Sequence, residues 1–355
     1  MRQAAAGSSA RLRLRVVLYH DVSENASSLV DRLGVTTAPD VFAAHMRRMA
    51  REYEFVSLDD VLSGSLPRRA LLITFDDGYR SVAEVALPVL RQLGVPSVFF
   101  VTGACLESDS LPLDNLLSHL CARVGIDRVG AVLDPQTGGT RAFSQLLDSV
   151  AAMPYSRRLR LGDELAEQFE LDQTRLRSES RAFLDPYDLA GLAAYGCEVA
   201  NHTRGHVFCR SIVDERAARD ELVAHARRLE SLTGRPVRAF SYPYGHRDDA
   251  TPMAARVLRE SGHEASFLAE SRPHPKGARG DLWNRVALDS CPAWRVGPEL
   301  ELLPTLRAGR DGLRKAAGLA PPGSGDRSSW RYQGPNTASS EYERSPTGGG
   351  AAPLK

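Results

Sequence analysis

Short apolar runs recur along this chain and stop abruptly at polar residues: 16–19, 55–58, 71–75, 97–102, 198–200, 238–242, 265–268 and 285–288. Runs of this kind predict strands. Between several of them the apolar period lengthens to that of a helix. "PDVFAAHMRRMAREY" places Phe42, Met46 and Met49 on one face, and "DERAARDELVAHARRLESLTG" brings Leu222, Ala226 and Leu229 together, with Gly234 as a C-cap. Strands alternating with helices predict an α/β fold on a parallel sheet, either open or closed into a barrel. Residues 105–190 break that rhythm. "LPLDNLLSHLCARVG" and "SRRLRLGDELAEQF" read as helices with no strand between them, so this span is expected to be a helical insertion. The main domain is expected over 14–310, after a flexible N-terminus at 1–13. Residues 318–355, rich in Gly, Pro and Ser, are expected to form a disordered tail.

Composition narrows the class. Of 355 residues, 43% are hydrophobic and 25% charged, as in an ordinary globular protein, and a formal net charge of +1 gives no general attraction to nucleic acid. No apolar run approaches the eighteen residues of a transmembrane helix. The N-terminal stretch has basic residues but no apolar h-region, which makes a cytoplasmic location the expectation. Five scattered cysteines without CxxC spacing argue against a disulfide framework or a cysteine-built zinc site.

Three segments carry candidate chemistry. In "LLITFDDGY" a strand delivers Asp76 and Asp77 to its C-terminal edge, where parallel α/β folds bind ligands. One carboxylate can hold a cation while its neighbour acts as a base, although Asp-Asp-Gly also describes a plain turn with a helix cap. In "GCEVANHTRGHVF" the spacing of His202 and His206 puts two imidazoles on one side of a helical turn, within reach of one ion. In "RAFSYPYGHRDD" Pro243 and Gly245 force the backbone out of regular pairing and can aim the Tyr244 N–H at a developing oxyanion, or simply make a good turn. A fourth stretch, "RVVLYHDV", ends in His20 and Asp21.

Together the segments resemble the polysaccharide deacetylases of the NodB-homology type, carbohydrate esterase family 4. The family's motifs appear in order as Thr74-Phe75-Asp76-Asp77-Gly78, His202-Thr203-Arg204-Gly205-His206 and Pro243-Tyr244-Gly245, and the likeness extends over roughly residues 14–290 apart from the insertion. The family's usual last motif, a C-terminal strand ending in Leu-x-His-Asp, is missing after residue 290. "VVLYHDV" resembles that motif in the circularly permuted branch, with His20 as the acid.

The resemblance implies a distorted (β/α) barrel of about seven strands and a metal-dependent hydrolase that removes the N-acetyl group from N-acetylhexosamine units of a glycan. It implies Asp77, His202 and His206 as ligands of a divalent metal, commonly Zn2+ with Co2+ or Ni2+ as alternatives. It further implies Asp76 as base, His20 as acid and the Tyr244 N–H at the oxyanion. Many members carry an arginine two residues before Pro-Tyr-Gly, where this chain has Ser241; Arg285 is the candidate substitute, and Asp21, Asp281 or Asp289 are candidates to support the site. An N-acetylated glycan is the expected partner. A catalytically dead glycan- or partner-binding relative, and a hydrolase of a non-sugar amide, are the competing readings.

Overall fold

The structure, a computed structural model, describes residues 13–107, 109–133, 142–272 and 281–316. The expectations for the flexible N-terminus and for the tail at 318–355 fall almost wholly outside the described residues. Within them are β1 (Arg13–Tyr19), β2 (Asp21–Val22), β3 (Thr36–Thr37), β4 (Glu54–Phe55), β5 (Arg69–Phe75), β6 (Ser97–Val101), β7 (Glu198–Asn201), β8 (Ala239–Ser241), β9 (Ala265–Leu268), β10 (Leu282–Asn284) and β11 (Val286–Ala287). Eight strands lie in the order β10-β9-β8-β7-β6-β5-β1-β11, all paired in parallel, with β4 also on β5; β2 and β3 form a small sheet of their own. Only Arg285 separates β10 from β11. The segment 282–287 therefore pairs with β9 at one end and β1 at the other, and brings the sheet round into a nearly closed barrel.

The strands are buried on both faces because alternate side chains serve two cores. Val17, Tyr19, Leu71, Ile73, Phe75 and Phe99 pack outward against surrounding helices, among them Pro39–Met49 through Phe42, Met46 and Met49. Leu14, Val16, Leu72, Val98, Phe100 and Phe267 fill the barrel, with Leu58 and Val61 of helix Leu58–Ser63 packed against them. Each run expected to be a strand overlaps one, though at 55–58 only Phe55 lies in β4. There Ser57 and Asp60 form a capping box, so Leu58 opens a helix instead. The three-residue β10 was not legible as a strand. The stretch 215–233 is helical with a π turn at Arg219–Ala224, and it ends at Gly234 with φ 67°.

Within 105–190 the described residues form the helices Leu113–Val124, Ile126–Leu133, Phe143–Ala151, Tyr155–Gln168, Gln173–Ser180 and Pro186–Ala194, with no named strand among them. The first four contribute Leu116, Leu120, Val129, Phe143, Leu146 and Leu161 to a separate apolar cluster, shared with Leu29, Val30 and Val35 of the loop after β2 and with Tyr79 after β5. The insertion thereby sits over the ends of the strands that carry the candidate site. No helix among the described residues is long and apolar enough to cross a membrane.

Candidate active site

Tyr19 and Phe75 are partners in the β1–β5 register, so His20 and Asp76 leave neighbouring strands side by side at the C-terminal rim, and the Asp76 N–H donates to the Tyr19 carbonyl at 3.0 Å. His202 follows β7 on the same rim, its N–H bonded to the Val101 carbonyl at 3.1 Å. Beyond the strand ends the backbone turns sharply. Asp77 (φ 72°), Thr203 (φ 62°), His206 (φ 50°) and Tyr244 (φ 61°) all adopt left-handed conformations that non-glycine residues avoid. Two such residues within 202–206 rule out the helical turn expected for the histidine pair. The segment is an open loop, held by the Thr203 N–H on Asn201 Oδ1 (3.0 Å) and the Gly205 N–H on Glu221 Oε2 (2.8 Å). The two imidazoles meet nonetheless, with ring centroids 5.2 Å apart.

Asp77 joins them. Its Oδ1 lies 3.4 Å from His202 Nε2 and 3.3 Å from His206 Nε2, and this buried oxygen has no hydrogen-bond partner. Ligands bound tetrahedrally at about 2.1 Å would stand about 3.4 Å apart. The spacing, the unsatisfied carboxylate oxygen and the donor types all suit a divalent metal ion such as zinc, and this trio is the one candidate metal-holding group found among the described residues. The imidazoles are turned for it as well. His202 Nδ1 lies 2.8 Å from the Ser241 carbonyl, which fixes the proton there and leaves Nε2 as the coordinating nitrogen. Burial alone would lower the His206 pKa, but the charges of Asp77 and Asp114 outweigh it and hold it up at about 10; burial opposes ionisation of Asp77, yet the imidazoles pull its pKa well below the usual range.

Asp76 is gripped from the opposite side. Arg285, fully buried, projects between β10 and β11. Its Nη1 donates to Asp76 Oδ1 (2.7 Å) and Thr74 Oγ1 (3.2 Å), its Nη2 to Asp76 Oδ2 (2.6 Å) and Ser241 Oγ (2.6 Å), and its Nε to the Leu268 carbonyl (3.2 Å). All five guanidinium hydrogens are used. The small Ser241 side chain leaves room for this arginine and donates to Asp76 Oδ2 at 3.2 Å. Burial pushes the Asp76 pKa up, and the charges of Arg285 and His202 more than reverse it.

His20 Nδ1 lies 2.8 Å from Asp289 Oδ2, and the His20 N–H donates to Asp289 Oδ1 at 3.0 Å. Burial works against the imidazolium, but Asp289 prevails and raises the His20 pKa to about 9. Asp21, next in sequence, is not part of this contact. Its carboxylate accepts from the hydroxyls of Ser23 and Ser81, both at 2.6 Å, away from the cavity. The backbone carbonyl of Asp281 accepts the Ser266 N–H, on the far side of β10 from the site.

These groups surround a cavity of about 290 Å³ lined by His20, Asp76, Asp77, His202, His206 and Tyr244, and walled by Asp114, Asn115, Phe143, Leu147 and Ala151 of the insertion. Sequence reasoning missed Asp114 and Arg158. Asp114 accepts the Tyr244 hydroxyl hydrogen at 2.7 Å, and Arg158 Nη2 donates to that hydroxyl at 2.9 Å. An acid in the first turn of a helix reads from sequence as a partner of the helix dipole, so nothing in the chain marked Asp114 out.

The model of the polysaccharide deacetylase family matches residues 63–265, more than half of the chain. Among solved structures, a Streptococcus pyogenes deacetylase, PplD, in complex with acetate superposes with TM-score 0.54 at 12% identity, covering 82% of this chain and 99% of that one. A polysaccharide deacetylase from Bacillus cereus gives 0.52 at 14% identity, with 82% and 70% covered. At these identities the likeness is one of fold. A comparison with curated proteins gives no significant match. His20, Arg285 and Asp289 lie outside the matched span, yet the barrel returns all three to the rim where the matched motifs converge. By that match, the chain belongs to the polysaccharide deacetylase family of hydrolases, which act on carbon–nitrogen bonds other than peptide bonds.

Proposed function

We propose that this protein is a metal-dependent N-deacetylase that hydrolyses the acetamide of N-acetylhexosamine units to acetate and a free amine. The observation that carries the reading is the unsatisfied Asp77 Oδ1 facing both imidazole Nε2 atoms, with Asp76 and His20 beside it on the rim. A divalent ion held by Asp77, His202 and His206, with zinc the first candidate and cobalt or nickel alternatives, supplies Lewis acidity toward the acyl carbonyl.

The chain's own residues supply the rest. Asp76, kept ionised by Arg285, takes a proton from the attacking water. The Tyr244 N–H, on a backbone locked at φ 61° and followed by Gly245, donates to the oxyanion. A Cβ on Gly245 would stand 2.1 Å from the Ala269 nitrogen, so only glycine permits that turn. His20, its Nδ1 tied to Asp289, delivers a proton from Nε2 to the leaving nitrogen. One proton is accepted and one donated, as amide hydrolysis requires.

The test is acetate release from N-acetylated chito-oligosaccharides, with and without chelator. Release that stops with chelator and returns with zinc supports the proposal. Metal binding without release from any N-acetylated sugar points instead to a non-sugar amide, and absence of metal binding points to an inactive relative.

A further inference from the structure

The insertion does more than wall the cavity. The His206 ring stands between two carboxylates: Nε2 is 3.3 Å from Asp77 Oδ1, and Nδ1 is 3.5 Å from Asp114 Oδ2. Asp77 belongs to the barrel rim, whereas Asp114 opens the insertion helix Leu113–Val124 and is 7% exposed. The same Asp114 oxygen accepts the Tyr244 hydroxyl, which in turn accepts from Arg158, a buried residue of helix Tyr155–Gln168 anchored on the Val150 carbonyl at 3.2 Å. The Tyr244 ring lies against His206, centroids 4.8 Å apart. Two insertion helices thus converge through one tyrosine on a histidine of the rim and on the turn that carries the Tyr244 N–H.

We infer that Asp114 is a positioning residue of the metal centre: it accepts the Nδ1 proton of His206, fixing the tautomer whose Nε2 lone pair faces the ion, while Tyr244 and Arg158 hold Asp114 in place. The inference rests on the proposed reading of the site. Its physical basis is general. A ligating imidazole oriented by a carboxylate on its second nitrogen is both aimed and made more basic, and loss of such a partner typically weakens metal affinity about 10–100-fold. Here the partner is contributed by a segment inserted into the barrel, so the insertion would be required for full metal affinity.

The experiment compares zinc dissociation constants, by competition with a chromophoric chelator, for the full-length protein, Asp114→Asn and Asp77→Ala. Asn keeps the shape of Asp114 and removes its charge. Affinity weakened about 10–100-fold in Asp114→Asn, with the thermal unfolding of the metal-free protein little changed, is the expected result. Equal zinc affinity in Asp114→Asn and wild type overturns the inference while leaving the metal site standing. Failure of the wild type to bind zinc, or unchanged binding in Asp77→Ala, overturns both. Should Asp114→Asn not fold, 15N-histidine NMR of the zinc-loaded wild type decides. A His206 Nδ1 proton, shifted downfield and slow to exchange, supports the assignment, and an unprotonated His206 Nδ1 overturns it.

Discussion

Replacing Arg285 by Met removes the guanidinium and leaves a shorter, unbranched apolar side chain. Asp76, itself only 3% exposed, would lose both bonds to Arg285, at 2.7 and 2.6 Å, and keep the Ser241 hydroxyl at 3.2 Å as its side-chain hydrogen bond. Breaking one side of a buried ion pair costs about 3–5 kcal/mol, because the remaining charge stays in a medium that solvates it poorly. Urea unfolding of the metal-free protein should show a loss of that size in Arg285→Met. The double variant Asp76→Asn/Arg285→Met should recover much of it, since no isolated charge then remains, giving a coupling of roughly 1–3 kcal/mol. Lys at 285 should fall between, having three donors for the five acceptor contacts.

The pH profile adds a readout that stability alone does not move. Asp76 must be ionised to accept a proton, so activity rises with pH through its pKa. Arg285 lowers that pKa and burial raises it. In the Lys variant or in residual Arg285→Met activity, the acid limb of kcat/KM should therefore shift to higher pH. A single Met variant within about 0.5 kcal/mol of wild type, with an unmoved acid limb, would show that Arg285 does not hold Asp76 ionised.

Asp289→Asn should lower the His20 pKa from about 9 and so move the alkaline limb of kcat/KM to lower pH, because His20 must carry its proton to serve as acid; an unchanged limb would separate His20 from that role. Two buried histidines that are not members of the metal trio should make the fold acid-sensitive. Burial holds His225, whose Nε2 donates to the Val101 carbonyl at 2.7 Å, and His263 at pKa values of about 4, against an ordinary 6.5. The unfolded chain then takes up protons that the folded chain refuses, so stability present above pH 6.5 is lost as the pH falls toward 4, on the order of 2 kcal/mol per histidine between pH 7 and 5. Urea midpoints at the two pH values test this, and His225→Gln should flatten the slope. Gly245→Ala should cost about 1–3 kcal/mol or more and depress kcat, since its Cβ meets the backbone of Ala269; wild-type unfolding and turnover would contradict the account of that turn.

The legible parts of this molecule are those where local sequence and tertiary environment say the same thing. A strand buried on both faces must be continuously apolar, so the run 71–75 could be read, and Asp76 at its end could be placed on the ligand-binding rim. His202 and His206 were legible as a pair, but not the loop that joins them. Its left-handed residues depend on Asn201 and on Glu221, sixteen residues beyond Gly205. The partner of His20 is 269 residues away, so the chain alone left Asp21, Asp281 and Asp289 open as candidates, and only the closure of the barrel brings Asp289 to it. β10 was too short to stand out, because barrel closure rather than an apolar run makes it a strand. Asp114 and Arg158 acquire their roles through the docking of the insertion alone.

The proposed chemistry requires Asp77, His202 and His206 to clasp one cation. Anomalous diffraction from crystals grown with zinc, recorded on both sides of the zinc edge, shows whether they do. One strong peak is expected, bonded to a carboxylate oxygen of Asp77 and to Nε2 of both histidines. A peak elsewhere on the barrel, or none at these three atoms at saturating zinc, would contradict the proposed chemistry.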